Sequence, residues 1–329
     1  IYANRKKLAE VLSLESAKPL KYALAEIDRS AYTFSIAAEE SKKDRTEHLA
    51  LERILQTDKR NGTVDYFPIG LIAGIAPFNF PMNLAVHKLA PAIASGCPII
   101  LKPASRTPLS CLELAKIIDR TELPKGSVSI LPMDRTTGNL LVTDERFKLL
   151  SFTGSPDIGW KMKAQSGKKK VVLELGGNAA TIITKSADLK DALPKSLMGA
   201  FAYSGQICIH AQRFMVHSSL YQSFVDELNA LTQNLISGNP LETATDISNM
   251  IDEANAVRVE NWIKEAIEQG AQLICGGKRH GSYVEPTILT NCNHTMKVYA
   301  EEVFGPVICI NSYQTIEDAI DQANNTKFG

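Results

Sequence analysis

Excess charge of one sign and long apolar runs are both missing from this sequence. Its 36 lysines and arginines balance 36 aspartates and glutamates, so a basic surface for nucleic acid or for a membrane is not expected. No apolar run approaches the roughly 20 residues that span a bilayer, and no signal-peptide pattern is present. We therefore expect a cytoplasmic protein that binds neither nucleic acid nor membrane.

Paired cysteines are missing as well. The six cysteines are scattered and form no CxxC pair, which favours reduced thiols over a disulfide framework. Zinc-ligand spacing is also absent, because Cys208 and His210 would need two more ligands and only chance folding would bring Cys292 and His294 to them. We expect no metal site.

The length and the ends of the chain bear on its organisation. With 329 residues, 44% of them hydrophobic, the chain can bury two separate cores. It begins at Ile1 inside a helical pattern and stops at the loop-like "NNTKFG". We expect a fragment of a longer protein, poorly active or inactive as it stands.

Periodicity predicts mainly helix over residues 3–57, where apolar positions recur at three- and four-residue spacing. "RNGTVDYFPIG" (60–70) contains an Asn-Gly turn signal and predicts a hairpin or an edge ribbon. Strands and helices then alternate, which favours a parallel sheet covered on both faces. The predicted strands are 71–77, 98–102, 127–132, 149–154 and 170–175, and the helices between them are 80–96, 108–120, 136–144 and 155–167.

A second α/β series follows "LGGN" (175–178). Its predicted strands are 180–185, 213–217, 271–277 and 306–313. Its predicted helices begin at Asp188 and cover 219–235 and 252–270. These patterns together predict an α/β fold with two domains.

Two stretches of the first series are candidates for cofactor binding. "FTGSPDIG" (152–159) follows a strand and opens a helix, with Ser155 as a good N-cap and Pro156 at the first helical position. Such a helix end suits a pyrophosphate, although a capped helix without a ligand is equally compatible. Lys102 ends a buried strand, where ligands of open α/β sheets bind; a lysine that simply reaches solvent is the alternative.

Two residues are candidates for catalysis. Glu174 lies at the apolar end of a strand, before two glycines, where burial would raise the carboxyl pKa and suit a general base. A buried glutamate satisfied by backbone N–H groups is the alternative. Cys208, in "SGQICIH" (204–210), could be a nucleophile or a small buried hydrophobe.

Six motifs in order resemble the NAD(P)-dependent aldehyde dehydrogenase superfamily, and the resemblance covers the chain from about residue 1 to its end. They are "APFNFP" (76–81), "LKPASRTP" (101–108), "SFTGSPDIG" (151–159), "LELGGN" (173–178), "GQICI" (205–209) and "EEVFGPV" (301–307). The resemblance implies N-terminal helices and a Rossmann-type cofactor domain over 1–174, then an incomplete catalytic domain over 175–329, with the active site between them. It also implies that about 58–70 belongs to a β-ribbon oligomerisation arm, so that the full-length protein is a homodimer or homotetramer.

The resemblance also assigns roles to individual residues. Cys208 matches the catalytic thiol, Glu174 the general base and Asn79 the oxyanion-hole amide. The positions that match cofactor contacts are Lys102, Ser105, Arg106, Gly154, Ser155, Glu302 and Phe304.

The chemistry that the resemblance implies is oxidation of an aldehyde to a carboxylic acid with NAD or NADP, through a thiohemiacetal and a thioester on the cysteine. A CoA-acylating aldehyde dehydrogenase is an alternative, although acylating members generally lack a base at the position of Glu174. A non-catalytic member or fragment of the family is a second alternative.

Departures from the family pattern carry two further expectations. The first aromatic of the family's "PWNFP" is Phe78, which is a mild change. Ser105 stands where many members have an acid that would repel the 2′-phosphate of NADP, and Arg106 follows it, so we expect NADP to be accepted. His87, about 2.2 helical turns after Asn79, is expected to line the channel of a small or polar substrate, with a surface histidine as the alternative.

Overall fold

The computed structural model describes residues 1–51 and 61–328. The helices are α1 (Arg5–Ser16), α2 (Leu20–Glu40), α3 (Asn83–Ala94), α4 (Leu109–Ile118), α5 (Arg135–Thr143), α6 (Pro156–Gln165), α7 (Leu189–Phe201), α8 (Ser218–Gln233), α9 (Glu253–Glu268), α10 (Lys297–Ala300) and α11 (Ile316–Asn324). The strands are β1 (Glu47–Ala50), β2 (Asn61–Val64), β3 (Ile72–Ile75), β4 (Ile99–Lys102), β5 (Val128–Ile130), β6 (Leu149–Thr153), β7 (Lys170–Glu174), β8 (Ala180–Ile183), β9 (Arg213–His217), β10 (Gln272–Cys275), β11 (Arg279–His280), β12 (Tyr283–Val284), β13 (Thr287–Thr290) and β14 (Val307–Tyr313).

The chain forms two compact units. Unit 1 comprises 1–3, 27–153 and 157–173, and unit 2 comprises 4–26, 154–156 and 174–329. Residues 4–26 therefore pack with the later part of the chain, whereas the sequence-based division grouped them with 1–174. The assignment of a cofactor domain and a catalytic domain to these parts stays a prediction.

A five-stranded sheet in the order β5-β4-β3-β6-β7 organises unit 1. β3 pairs in parallel with β4 on one side and with β6 on the other, so the strand order reverses at β3. All four residues of β3 are buried, as expected for a parallel strand covered on both faces. In open α/β sheets, ligands bind beside the carboxyl ends of the strands at such a reversal.

The N-terminal part of unit 1 differs from the prediction of helix over 3–57. Helix α2 ends at Glu40, and the charged stretch after it leads into β1, which pairs antiparallel with β2. Asn61 and Gly62 lie inside β2, so the expected Asn-Gly turn is wrong, whereas a two-stranded ribbon is present. Residues 58–60 of the predicted arm lie outside the described residues.

A second five-stranded sheet, in the order β10-β13-β14-β9-β8, organises unit 2. Its strands run parallel except β10, which is antiparallel to β13. Two apolar clusters form the core: α9 and α10 contribute to one, and α7 and α8 contribute to the other. The predicted helix start at Asp188 is correct, because its side chain accepts the N–H of Lys190 and caps α7.

Candidate active site

Cys208 lies in a turn that follows a three-residue left-handed segment of unit 2. Tyr203, Ser204 and Gly205 have φ values of 50°, 54° and 66°. Such angles are strained for residues other than glycine and persist only where the surroundings impose them. Of the six cysteines, all of which the structure describes, Cys208 is the exposed one. The alternative of a buried structural cysteine is therefore wrong.

Contacts on each of these residues hold the left-handed segment. The hydroxyl of Tyr203 donates to the carbonyl of Ser16 at 3.0 Å, and that of Ser204 donates to the carbonyl of Ser248 at 2.7 Å. At Gly205, a β-carbon would lie 2.2 Å from the carbonyl oxygen of Gly305. The backbone before Cys208 is thus fixed by groups far away in sequence.

Local electrostatics oppose ionisation of the thiol. Burial of the sulfur among neighbouring atoms raises the pKa of Cys208 above its ordinary value, although the residue as a whole is exposed. The carboxylates of Glu302 and Glu174 raise this pKa further, while the backbone N–H groups of Cys208 and Ile209 lower it. A positive charge brought to this site would therefore favour the thiolate.

Glu302 packs against the two glycines that follow β7. Its Oε1 accepts the N–H of Gly177 at 3.2 Å, and a β-carbon on Gly176 would lie 2.0 Å from its Oε2. Burial raises the pKa of Glu302, whereas the N–H of Gly177 and the guanidinium of Arg258 lower it. The close approach of this carboxylate therefore requires a glycine at position 176.

Two polar side chains that the sequence analysis did not single out support the segment that carries Glu302. Gln212 donates to the carbonyls of Val298 and Glu301 at 2.9 and 2.7 Å and accepts the N–H of Val303 at 2.8 Å. Asn178 donates to the carbonyls of Tyr299 and Ala300, and its oxygen accepts the hydroxyl of Thr326. The sequence pattern that could have identified Gln212 and Asn178 is a polar side chain beside the apolar residues of a strand.

The buried guanidinium of Arg213 links this scaffold to α11. It donates to the carbonyl of Asn178 at 2.7 Å and to those of Gln322 and Ala323 at 3.1 Å. The last two carbonyls lie near the C-terminal end of α11, where the helix dipole favours a cation. Arg213 therefore ties the turn after β7 to a helix more than a hundred residues later in the chain.

Glu174 ends β7 with an exposed side chain, so the expectation that it is buried is wrong, as is the alternative of a glutamate buried against backbone N–H groups. Its carbonyl accepts the N–H of Gly154 at 3.0 Å, which joins the end of β7 to the loop that carries Ser155. Because α6 begins at Pro156, Ser155 occupies the N-cap position that was predicted.

His210, two residues after Cys208, is buried in unit 2. Its Nε2 lies 2.8 Å from the carbonyl oxygen of Ala200, which makes that nitrogen the protonated donor of a neutral ring. Burial lowers the pKa of His210 to about 4, and its Nδ1 is buried without a hydrogen-bond partner. Across residues 1–51 and 61–328, no cluster of three metal-ligating side chains occurs.

The remaining predicted residues of the cofactor site lie in unit 1 at the carboxyl end of β4. The ammonium of Lys102 donates to the carbonyl of Pro103 at 3.3 Å and to the hydroxyl of Ser105 at 3.4 Å. Burial lowers the pKa of Lys102, and Gly138 lies against its alkyl chain. Ser105 and Arg106 are exposed in the following loop.

Asn79 and Lys88 lie near the carboxyl ends of β3 and β6 in unit 1. Asn79 is buried in the segment between β3 and α3. The buried ammonium of Lys88, which the sequence analysis missed, donates to the hydroxyls of Ser151 and Thr153 of β6 at 3.2 and 2.7 Å. The sequence pattern that could have identified Lys88 is a lysine among the apolar residues of "LAVHKLAPA". Both residues lie beside the strand reversal at β3.

Phe304 and His87 complete the predicted set. Phe304 has a left-handed backbone (φ 48°) two residues after Glu302. His87 is exposed on α3 and lines a groove of about 920 Å³ in unit 1, whose other walls include Glu40, Tyr66 and Phe67. Its predicted contact with substrate stays a prediction.

In the described part of the chain, none of the helices has both the length and the apolar character that a membrane span requires.

Known proteins resemble the chain throughout its length. A sequence model of the aldehyde dehydrogenase family matches residues 1–329. The 3-sulfolactaldehyde dehydrogenase of Priestia megaterium is 40% identical over 330 residues, covering 100% of this chain and 69% of the relative. Aldehyde dehydrogenase 21 from Physcomitrella patens, solved in complex with the reaction product succinate, has a TM-score of 0.98 and 44% identity, with 100% of this chain and 69% of that chain covered. Glyceraldehyde-3-phosphate dehydrogenase from Methanocaldococcus jannaschii, complexed with NADP, has a TM-score of 0.95 and 36% identity, covering 100% and 71%.

Proposed function

Because the chain belongs to the aldehyde dehydrogenase family, we propose that it oxidises a small polar aldehyde to the carboxylic acid with NADP⁺ or NAD⁺, using Cys208 as the nucleophile. The observation that carries this proposal is the exposure of Cys208 on its constrained turn, within the electrostatic reach of Glu302 and Glu174. A single accessible cysteine beside a potential base is the arrangement that nucleophilic catalysis requires.

In the proposed reaction, the Cys208 thiolate attacks the aldehyde carbon and forms a thiohemiacetal. Negative charge develops on the former carbonyl oxygen, and we assign its stabilisation to the N–H of Cys208 and the side-chain amide of Asn79. Loss of hydride then converts the adduct into a thioester on Cys208. Since burial and two nearby carboxylates raise the pKa of this thiol, the positive charge of a bound, oxidised nicotinamide ring would favour its ionisation.

The strand ends at β3 and β4 fit a nicotinamide dinucleotide. The strand order reverses at β3, and the half-buried ammonium of Lys102 lies at the end of the adjacent strand. We assign ribose contact to Lys102, pyrophosphate contact to Gly154 and Ser155 at the start of α6, and contact with the nicotinamide riboside to Glu302 and Phe304. The bound cofactor supplies the hydride acceptor.

Glu174 is proposed to activate the water that hydrolyses the thioester. Its side chain is exposed at the end of β7 and is followed by two glycines, so water can reach it. This arrangement favours hydrolysis over transfer to CoA. Measuring NAD(P)H formation with and without CoA separates the two reactions, because an acylating enzyme would depend on CoA and would release acyl-CoA.

The relatives suggest the substrate class. The Priestia megaterium relative is named for 3-sulfolactaldehyde, and the Physcomitrella patens structure holds succinate as product. Both are small molecules with an anionic group. We therefore propose a short aldehyde that carries an anionic or hydroxyl group, and a panel of such aldehydes against hexanal and benzaldehyde would test this.

Substitution of the nucleophile tests the central assignment. In the protein at its full natural length, Cys208→Ala should abolish aldehyde oxidation and leave cofactor binding, measured by fluorescence titration, unchanged. Cys275→Ala, at a half-buried cysteine, is the matched control and should retain activity. Turnover by Cys208→Ala would overturn the mechanism. Iodoacetamide should label Cys208 first, and its labelling should respond to added NADP⁺.

We also propose that the full-length protein acts as a cytoplasmic homodimer or homotetramer in which the β1–β2 ribbon forms part of the contact. Around this ribbon, Leu49, Tyr66 and Phe67 expose 45%, 65% and 83% of their surfaces, an apolar concentration suited to an interface. Light scattering would determine the oligomeric state, and Phe67→Asp should shift it towards the monomer.

A further inference from the structure

Lys18 and Glu26 form a completely buried ion pair in unit 2. Both side chains have 0% exposure, and the ammonium donates to Oε2 of Glu26. Lys18 follows α1 by two residues, and Glu26 lies in α2. Buried ion pairs generally stabilise a fold no better than apolar residues of similar volume, because both charges lose their hydration. A role beyond stability would account for the pair.

The pair contacts the segment before Cys208 through one aromatic ring. The ammonium of Lys18 lies 4.4 Å from the centroid of the Tyr203 ring, within the range of a cation–π interaction. The same ring is anchored at its other end, because its hydroxyl donates to the carbonyl of Ser16 at 3.0 Å. Tyr203 is itself only 1% exposed, so both contacts are shielded from water.

Tyr203 begins the left-handed segment, and its backbone is strained. Tyr203 and Ser204 both hold left-handed angles without being glycine, which requires compensating contacts. The contacts of Ser204 and Gly205 reach Ser248 and Gly305, whereas those of the Tyr203 side chain reach the segment from Ser16 to Glu26. The two sets therefore hold the segment from different parts of the chain.

We propose that Lys18 and Glu26 are positioning residues for Cys208: by clamping Tyr203, they hold residues 203–205 in the left-handed form that presents the thiol and the N–H groups of Cys208 and Ile209. The catalytic role of these two residues rests on the proposed function of Cys208 as the nucleophile. The clamp itself is a property of unit 2 and can be measured through the thiol without any substrate.

The test compares Cys208 reactivity in matched variants of the full chain. Lys18→Met/Glu26→Gln removes both charges while keeping the side-chain volumes, and Tyr203→Phe removes the bond to Ser16 while keeping the ring. Tyr313→Phe is the control, because the Tyr313 hydroxyl also donates to a buried carbonyl, that of Ile183 at 3.2 Å. The rate of iodoacetamide alkylation at the Cys208 peptide is followed by mass spectrometry from pH 6 to pH 10.

If the clamp operates, Cys208 should be alkylated more slowly at pH 7.5 in Lys18→Met/Glu26→Gln and in Tyr203→Phe. We expect a decrease of about three- to tenfold, because each variant loses one or two buried polar contacts. Their pH midpoints should also rise, because a relaxed segment withdraws the backbone N–H groups from the sulfur. The Tyr313→Phe profile should match that of the parent. A merely structural role would lower the thermal midpoint of the clamp variants and leave the pH profile unchanged.

The outcomes separate this inference from the proposed function. An unchanged or lowered pH midpoint in folded Tyr203→Phe and in the folded double variant overturns the clamp, whether or not the protein oxidises aldehydes. A shifted midpoint in a full-length protein that oxidises no aldehyde keeps the clamp and refutes the proposed function. If the double variant does not fold, Glu26→Gln is measured in its place, because it removes the carboxylate that holds the Lys18 ammonium and keeps the side-chain volume, whereas Tyr203→Phe retains the ion pair and the ring.

Discussion

The backbone of Gly205 lies directly against the carbonyl group of Gly305. A β-carbon at Gly205 would lie 2.2 Å from that oxygen and 2.7 Å from its carbon. Both distances are shorter than a β-carbon can approach another heavy atom without a clash. Gly205 belongs to the turn before Cys208, and Gly305 belongs to the loop that carries Glu302. This contact explains the glycine of "GQICI". The glycine of "EEVFGPV" has a separate reason, because a β-carbon on Gly305 would lie 2.8 Å from the side chain of Val259.

Gly205→Ala should damage the site far more than the backbone angle alone would. The control is Gly281→Ala, because Gly281 has a similar φ of 62° and no atom within 4 Å of the added carbon. We expect Gly281→Ala to cost about 1–2 kcal/mol, the left-handed penalty, and Gly205→Ala at least about 2 kcal/mol more from the backbone clash. Urea unfolding measures both. Equal losses would contradict the contact.

Glu302→Gln should speed alkylation of Cys208. The Glu302 carboxylate raises the pKa of the thiol, so removing the charge lowers that pKa and increases the thiolate fraction at neutral pH. We expect about a threefold increase at pH 7.5. Glu301→Gln is the control, since Glu301 pairs with Lys327 at 2.6 Å. A slower reaction in Glu302→Gln than in Glu301→Gln would reverse the inferred sign.

Glu174→Gln in the full-length protein should separate the two halves of the reaction. Hydride transfer precedes hydrolysis, so the variant should give a burst of reduced cofactor equal to the enzyme concentration. Steady-state turnover should then fall by about 100-fold, the contribution of a general base. Stopped-flow absorbance at 340 nm follows both phases. A slow first turnover without a burst would place Glu174 in the activation of the thiol instead.

Ser105→Glu should turn the cofactor preference away from NADP. A carboxylate 4 Å from the 2′-phosphate would be repelled by about 4 kcal/mol at an effective dielectric of about 20, and solvent around the exposed loop reduces this. We expect kcat/KM for NADP to fall at least about tenfold relative to that for NAD. Ser105→Gln, of the same shape without charge, should change the ratio little. An equal change in both variants would dismiss the electrostatic explanation.

His210 should make the protein sensitive to acid between pH 6.5 and pH 4. Its pKa is lowered to about 4 by burial, so within this window the unfolded state binds more protons than the folded state. The free energy of unfolding should therefore decrease as the pH falls, by about 3 kcal/mol in total. His210→Gln should flatten this part of the urea-unfolding profile. A parallel loss in both proteins would assign the acid sensitivity to other groups.

The alternating strands and helices were predictable because apolar runs of four or five residues are separated by strong turn and cap signals. The family and the α/β fold class predicted from the six motifs are confirmed. β13, "TILT", was not predicted, because its two threonines and the preceding Pro286 make a weak apolar pattern. Its position inside the sheet is evident only from its pairing with β10 and β14. Helix α11 was also missed, although Thr315 and Asp318 form a capping box at its start.

The side-chain surroundings of the site were less accessible from the sequence. The exposure of Glu174 depends on the path of the chain through two glycines, which periodicity does not describe. The contacts of Glu302 with Gly177, of Gln212 with Val298 and of Arg213 with Gln322 join residues separated by 86 to 125 positions, and no local pattern records such pairs. The resemblance of the motifs could therefore nominate Cys208, but not the groups that constrain it.

The hydrogen bonds of Asn178 set an order of events during protein synthesis. Its side chain is satisfied by the carbonyls of Tyr299 and Ala300 and by the hydroxyl of Thr326, which lies 148 residues later. On the ribosome, Asn178 therefore cannot complete its side-chain hydrogen bonds until Thr326 has been synthesised. Glu302 is also synthesised after Cys208, so the nascent thiol at first lacks one of the two carboxylates that oppose its ionisation.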